Sequence, residues 1–200
     1  MEIFDALKKR KMTRAFTAQR VETATVEQLL YAATRGPSAG NTASLEVLVL
    51  TGPRCEQYWD ITLDEQRRSA FGWPGLLRAP VLMIPTVAPG DYLDRYSEPD
   101  KSRRGLGSDV EAWVVPYWWV DGGAGVENIL LAATAVGLGA CFFGQFDYEL
   151  AVSEHFGIPD GRRSLGTIAL GYPDVVQDRP SRSSLRRSAT VAQRSHWEQW

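Results

Sequence analysis

The stretch from Asp121 to Gly137, DGGAGVENILLAATAVG, constrains this chain more than any other. Asp121 reads as its N-terminal cap. From Val126 to Val136 apolar residues fall on almost every face of a helix, so the helix has to be buried all round. Gly137 supplies its C-terminal stop. A helix of that kind needs a domain around it. The chain has 200 residues, 44% of them apolar, enough to bury roughly two-thirds of its unfolded surface in one domain.

The rest of the sequence supplies helices and strands that do not strictly alternate. Residues 1–10 form a helix with Ile3, Phe4 and Leu7 on one face and a basic end, KKRK. A second helix is expected from Thr25, with Gln28 as capping-box partner and Gly36-Pro37 as its stop. LEVLVLT, residues 45–51, reads as a strand, and a third helix is expected from Pro53 to about Ala70. Residues 81–87 form a second strand, with Pro85 pointing to a sheet edge or a strand end. Residues 88–120 are the least regular part and read as a lid or binding loop. After the buried helix come a strand over 140–144, a helix from an Asp147 cap to Phe156, and a strand over 165–172. Loose alternation of this kind favours α+β over a doubly wound sheet.

Composition closes off several functions. Acidic residues (24) nearly balance basic ones (22), so the net charge of −2 gives no global reason to bind nucleic acid or an anionic membrane. No apolar run reaches the roughly 18 residues a membrane span needs. The N-terminus sets apolar residues before charges, the reverse of a secretory signal, and a cytoplasmic protein is expected. Cys55 and Cys141 stand far apart and His155 and His196 are the only histidines, which leaves a metal site without ligands. Arginine outnumbers lysine eighteen to four, and guanidinium is the better partner for phosphate and for aromatic faces.

Four segments are candidates for chemistry. Arg10-Lys11-Met12-Thr13-Arg14-Ala15-Phe16 follows the first helix; taken alone it is more simply a solvated helix end. Pro37-Ser38-Ala39-Gly40-Asn41 lies between a helix and a strand and could turn backbone and side-chain amides toward a ligand. Gly137-Leu138-Gly139-Ala140-Cys141-Phe142-Phe143-Gly144 fails as a dinucleotide fingerprint, because a helix precedes its glycines and a strand follows them. The tail carries Arg179, Arg182, Arg186, Arg187 and Arg194 with Asp178 as the one nearby acid, and could hold a phosphate bidentately.

In their order and spacing these segments are more specific than any one of them. R-x-x-x-R-x-F after the first helix, P-S-x-x-N before the first strand, D-x-G-x-x-x-x-N-x-L-L-A running into G-L-G, then G-Y-P and an Arg-rich tail ending H-W resemble the nitroreductase family of FMN enzymes. The resemblance implies an α+β fold with a central, mostly antiparallel sheet flanked by helices. It also implies a domain over 1–176, and a C-terminal arm over 177–200 packed on the partner of a homodimer. FMN is the implied cofactor, NADH or NADPH the co-substrate, and a small aromatic compound such as a nitro compound or quinone the acceptor.

The same resemblance assigns roles. Arg10, Lys11 and Arg14 would meet the FMN phosphate and the pyrimidine side of the ring, with Met12 where the family often has a small polar residue. Pro37, Ser38, Ala39 and Asn41 match a loop that contacts the flavin, usually from the partner subunit. Phe142, Phe143 and Gly144 match the stretch that packs on the ring, the Gly144 region offering a backbone N–H near flavin N5. Arg186 or Arg187 would bind the phosphate. Trp113, Trp118 and Trp119 would form the wall or lid on the substrate side. Hydride transfer needs no side-chain acid or base, consistent with two histidines, and a cation near N1 favours the reduced flavin. Three rival readings keep the fold: a protein that sequesters FMN with little turnover, a flavin-free interaction domain, and a reductive dehalogenase or flavin-consuming relative.

Overall fold

The structure, a computed structural model, describes residues 1–186 and 189–200. Along the chain come α1 (Ile3–Lys9), α2 (Thr23–Ala33), β1 (Glu46–Thr51), α3 (Pro53–Thr62), α4 (Glu65–Ser69), β2 (Val81–Val87), α5 (Pro89–Ser97), α6 (Tyr117–Ala135), β3 (Gly139–Phe143), α7 (Glu149–Phe156), β4 (Arg163–Ser164) and β5 (Thr167–Gly171). The strands form an antiparallel sheet in the order β1-β2-β5-β3, with β4 beside the far end of β2. The fold is α+β, as the sequence led us to expect. No helix among the described residues is long and apolar enough to cross a membrane.

Strand alternation divides the interior into two cores. Val81 and Met83 of β2, Ile168 and Leu170 of β5 and Ala140 of β3 face α2 and α6. Leu82, Ile84, Ala169 and Cys141 face the other way, onto Tyr58 and Trp59 of α3 and Val152 of α7. A third, smaller cluster of Tyr92, Trp113, Trp118 and Val87 lies under the segment between α5 and α6.

The apolar helix, α6, is at the centre of this arrangement, but it begins at Tyr117, so Asp121 lies inside it and does not cap it. Its glycines permit close packing. A Cβ on Gly122 would stand 2.7 Å from Leu165, and one on Gly125 would run into Leu45. Gly36 in turn lies against the Gly125 amide.

Other boundaries move for identifiable reasons. The second helix starts at Thr23, with the Glu22 carbonyl taking the first turn's amides in place of a capping box. The third helix stops at Thr62, because Leu63 is extended and Asp64 caps α4 through the Arg67 N–H at 2.7 Å. Pro85 lies in an interior strand, contrary to the edge reading. It sits where β5 has stopped pairing with β2 and β4 has not begun, so no ladder bond is lost there, and its carbonyl accepts the Leu165 N–H at 2.9 Å. The last strand breaks at Gly166 (φ +132°), where any Cβ would meet the Phe143 carbonyl. Residues 88–120 hold α5 and two short turns of 3₁₀-helix, so they are folded scaffold to a greater extent than their composition suggested.

Two apolar surfaces stay open. On α1 only Ala6 is buried, and Ile3, Phe4 and Leu7 face outward. Residues 189–200 are exposed, Trp197 and Trp200 among them.

Candidate active site

Residues 12–16 leave α1 and run along the outer edge of β3. Met12 bridges Ala140 in parallel, the Thr13 N–H bonds the Ala140 carbonyl at 2.8 Å, and Gly139 is bare because Thr13 fills the space a Cβ would take. The Phe142 N–H, on the same edge, donates to the Met12 sulfur at 3.4 Å. By strand alternation the next amide in that row belongs to Gly144, just past the strand end. Phe142 and Phe143 point to opposite faces: Phe142 packs on the α2–α6 core and Phe143 on the α3–α7 core, stacked on Trp59 at 5.8 Å.

Three cavities meet around Met12 and Phe142. One, of about 400 Å³, is lined by Arg10, Lys11, Met12 and Arg14 on one side and by Asp178, Arg179, Ser183 and Ser184 on the other. A second, of about 560 Å³, shares Arg10, Met12 and Phe142 and is walled by Trp119, Glu127 and Leu165. The third, of about 380 Å³, shares Arg14 and Phe142 and is aromatic, with Trp59, Trp73, Phe143 and Phe146 beside Gly144.

The cations are held in place by acids. Arg10 pairs with Glu127 at 3.2 Å. Asp178, its side chain 5% exposed, accepts Lys11 Nζ at 2.7 Å and the Arg14 N–H at 2.8 Å. The Arg14 guanidinium donates to the Met12 carbonyl and lies over the Trp73 ring, 5.3 Å from its centroid. Among the described residues no carboxylate pairs with the Arg14 or Arg179 guanidinium. Both keep free donors of the planar kind that suits phosphate and polar ring edges. Trp59 Nε1 and Gln145 Oε1 are buried without partners in the walls of the aromatic cavity. A planar group with a polar edge and an anionic tail thus finds cations at one end and aromatic walls at the other. The residues present fit FMN.

The P-S-A-G-N loop is elsewhere. At about 100° per residue, Trp119, Gly123, Val126 and Leu130, which line the 560 Å³ cavity, share one face of α6. Asp121, Gly125 and Asn128 share the opposite face. There Asp121 Oδ2 holds the loop by accepting the Ala39 N–H at 2.7 Å, and Asn128 donates to the Ala32 carbonyl in the last turn of α2 at 3.1 Å. Pro37, Ser38 and Asn41 line a separate cavity of about 130 Å³ with Tyr92 and Asp121. Within one chain, α6 stands between the loop and the basic cluster.

The tryptophans separate as well. Trp119 lines the 560 Å³ cavity, with the Arg163 guanidinium 5.9 Å above its ring. Trp113 and Trp118 are 7% and 6% exposed and pack edge-on to Tyr92, so they build scaffold, not cavity wall. In the tail, Arg186 is exposed at the end of a 3₁₀ turn, Arg187 lies outside the described residues, and Arg179 lines the basic cavity. Sequence reasoning passed over Asp178 and Trp73. A lone acid in an Arg/Ser-rich tail was the available signal for Asp178; Trp73, in a short loop, gave none.

The outer strand edge of this α+β sheet carries a cationic cluster beside an aromatic cavity, a lining whose chemistry suits a planar group with an anionic end. The chain belongs to the nitroreductase family, whose sequence model matches residues 7–172. It is 27% identical to a 4-nitrobenzoate reductase of Nocardioides sp. (strain LMS-CY), over 93% of this chain and 87% of that one. Among solved structures it resembles nitroreductase CinD from Lactococcus lactis in complex with nicotinic acid (TM-score 0.72, 16% identity, 94% of this chain and 100% of that chain). It also resembles an FMN-dependent nitroreductase from Clostridium difficile R20291 (TM-score 0.66, 20% identity, 98% and 99%).

Proposed function

We propose that the chain is an FMN-dependent NAD(P)H oxidoreductase that works as a homodimer and reduces a small aromatic acceptor such as a nitro compound or quinone. The observation that carries this reading is the meeting of a cationic cavity and an aromatic one at Arg14, along the β3 edge. When bound, FMN supplies the chemistry, taking a hydride from NADH or NADPH and passing two electrons to the acceptor.

The chain's own residues bind and tune. Arg10, Lys11 and Arg179 hold the phosphate, with Ser183 and Ser184 as further donors. Glu127 and Asp178 orient the first two of these cations and lower the net charge of the cradle. Arg14 places a fixed positive charge by the ring, which favours the reduced, anionic state. The Gly144 amide offers a donor at the strand edge, and the walls from Trp59, Trp73 and Phe143 exclude water. The loop from Pro37 to Asn41 contributes from a second copy, a reading supported by its position across α6 from its own chain's basic cluster. The exposed face of α1 and the tail residues Val191, Trp197 and Trp200 supply apolar surface for that contact.

The test is a visible absorption spectrum of freshly purified protein, repeated without oxygen after addition of NADH or NADPH. A yellow protein that bleaches within the mixing time is expected, and Arg14→Ala should weaken FMN binding at least tenfold, the scale of a lost hydrogen bond to a charged group of about 1.5–3 kcal/mol. A yellow protein that neither nucleotide bleaches would make the chain a flavin-sequestering protein. A colourless one that refuses added FMN would end the reading.

A further inference from the structure

The loop from Ser38 to Ser44 is both strained and secured by side chains from elsewhere in the fold. Asn41 (φ +58°) and Ala43 (φ +53°) both adopt left-handed backbone without being glycine. Such conformations persist only where the surroundings over-determine them, and they concentrate at functional sites. The restraints here come from four side chains outside the loop, of which Asp91 accepts the Ser44 hydroxyl at 2.6 Å. Asp121 Oδ2 accepts the Ala39 N–H at 2.7 Å. Arg95 Nε donates to the Gly40 carbonyl at 2.7 Å while its terminal nitrogens are taken by Asp100 and Glu98. Arg162 donates to the Ser44 carbonyl at 2.6 Å and to Thr86 Oγ1 at 3.0 Å.

Asp121 is central among these. The oxygen that takes the loop amide also accepts the Tyr92 hydroxyl at 2.8 Å. Burial and the neighbouring Asp121 carboxylate push the Tyr92 hydroxyl well above its ordinary range, so it stays a donor throughout the physiological range. Tyr92 is in turn clamped by the rings of Trp113 and Trp118. A chain of contacts thus runs from the aromatic cluster through Tyr92 and Asp121 to the backbone of Ala39. We infer that Asp121 is a positioning residue for the proposed flavin site: with Tyr92 and the two tryptophans behind it, it sets the Pro37–Asn41 loop in the conformation that the partner subunit's cofactor requires. The inference rests on the FMN reading above and gives residues 88–120 a task, the support of this loop.

Asp121 serves its partner's site and leaves its own basic cluster intact, a property that no general folding role shares. The experiment compares FMN binding, by fluorescence quenching well below the melting temperature, in wild type, Asp121→Ala, Asp121→Asn and Arg14→Ala, and then in Asp121→Ala and Arg14→Ala unfolded together and reassembled. Asp121→Ala should weaken FMN binding at least tenfold, and Asp121→Asn, which keeps an acceptor oxygen, should recover to within about threefold of wild type. Reassembled mixtures should regain tight binding at up to a quarter of all sites: half of the dimers are mixed, and each of those has one site with both elements intact. Tight binding by Asp121→Ala alone, or no recovery in the mixture, would overturn the inference while the FMN reading stands. Wild type that binds no FMN would overturn both.

Discussion

Phe142 donates its backbone N–H to the sulfur of Met12, 3.4 Å away. The contact ties the segment that carries Arg10 and Arg14 to β3, just before Gly144, and it does so with a weak, polarizable acceptor. Met12→Leu keeps the volume and loses only the acceptor, and should cost less than about 1 kcal/mol; Met12→Ala also opens space in a half-buried site and should cost about 1–2 kcal/mol. Urea titration followed by tryptophan fluorescence measures both, and equal losses would show that packing contributes nothing there.

Trp113 and Trp119 are six residues apart and should behave oppositely. Trp113→Ala removes a buried indole that touches Tyr92, Tyr96 and Trp118 and donates to the Leu106 carbonyl at 2.8 Å. A loss of about 3–5 kcal/mol follows for a ring of that size. Trp119→Ala, at a cavity wall that is 37% exposed, should cost less than about 1.5 kcal/mol and change steady-state parameters for the acceptor. Thermal melts set beside acceptor kinetics separate the two.

Gly125 has no room for a side chain, since Leu45 and the Ala33 carbonyl close on it. Gly125→Val should destabilise the fold by about 1–3 kcal/mol, the usual result of overpacking. Gly123, with open space around its missing Cβ, provides the control: Gly123→Ala should stabilise α6 by about 0.5–1 kcal/mol through helix propensity. Melting temperatures of the pair in opposite directions would confirm the packing argument.

Glu149 receives Arg163 at 2.8 and 3.0 Å and the Ser164 N–H at 3.0 Å. The Arg163 guanidinium, foremost, holds its carboxyl below the usual 4.5. A carboxyl depressed in the folded state binds fewer protons there than in the unfolded chain, so its contribution is complete above about pH 4.5 and fades as pH falls through the folded value. Glu149→Gln should therefore lower the melting temperature at pH 7 and lose that deficit progressively below pH 4.5. A deficit that stayed constant with pH would show the ion pair to be inert.

Much of this was legible in the sequence. The apolar stretch from Val126 to Val136 and the short apolar run over 81–87 were legible as core elements because burial on all sides leaves an unbroken apolar stretch, and the four short motifs gave the family because their order survives where each is weak. What was not legible depended on tertiary partners. Asp121 looked like a cap, since a polar residue before an apolar run usually is one, and only the packing of Pro37–Asn41 against α6 reveals what it holds. Trp113 and Trp118 looked like a wall because bulky aromatics in an irregular segment suggest a binding loop. Their burial depends on Tyr92, some twenty residues away. Pro85 looked like an edge residue because the break between β4 and β5 opposite it leaves no local signal.

The placement of α6 has a consequence for concentration. With the loop on one side of that helix and the basic cluster on the other, a lone chain carries two half-sites and, under the proposed assembly, no complete one. Cofactor retention then becomes second order in protein. Dilution below the dimer dissociation constant should release FMN even where each chain stays folded, so that the amount of the protein present, and not only its integrity, sets how much of it can work.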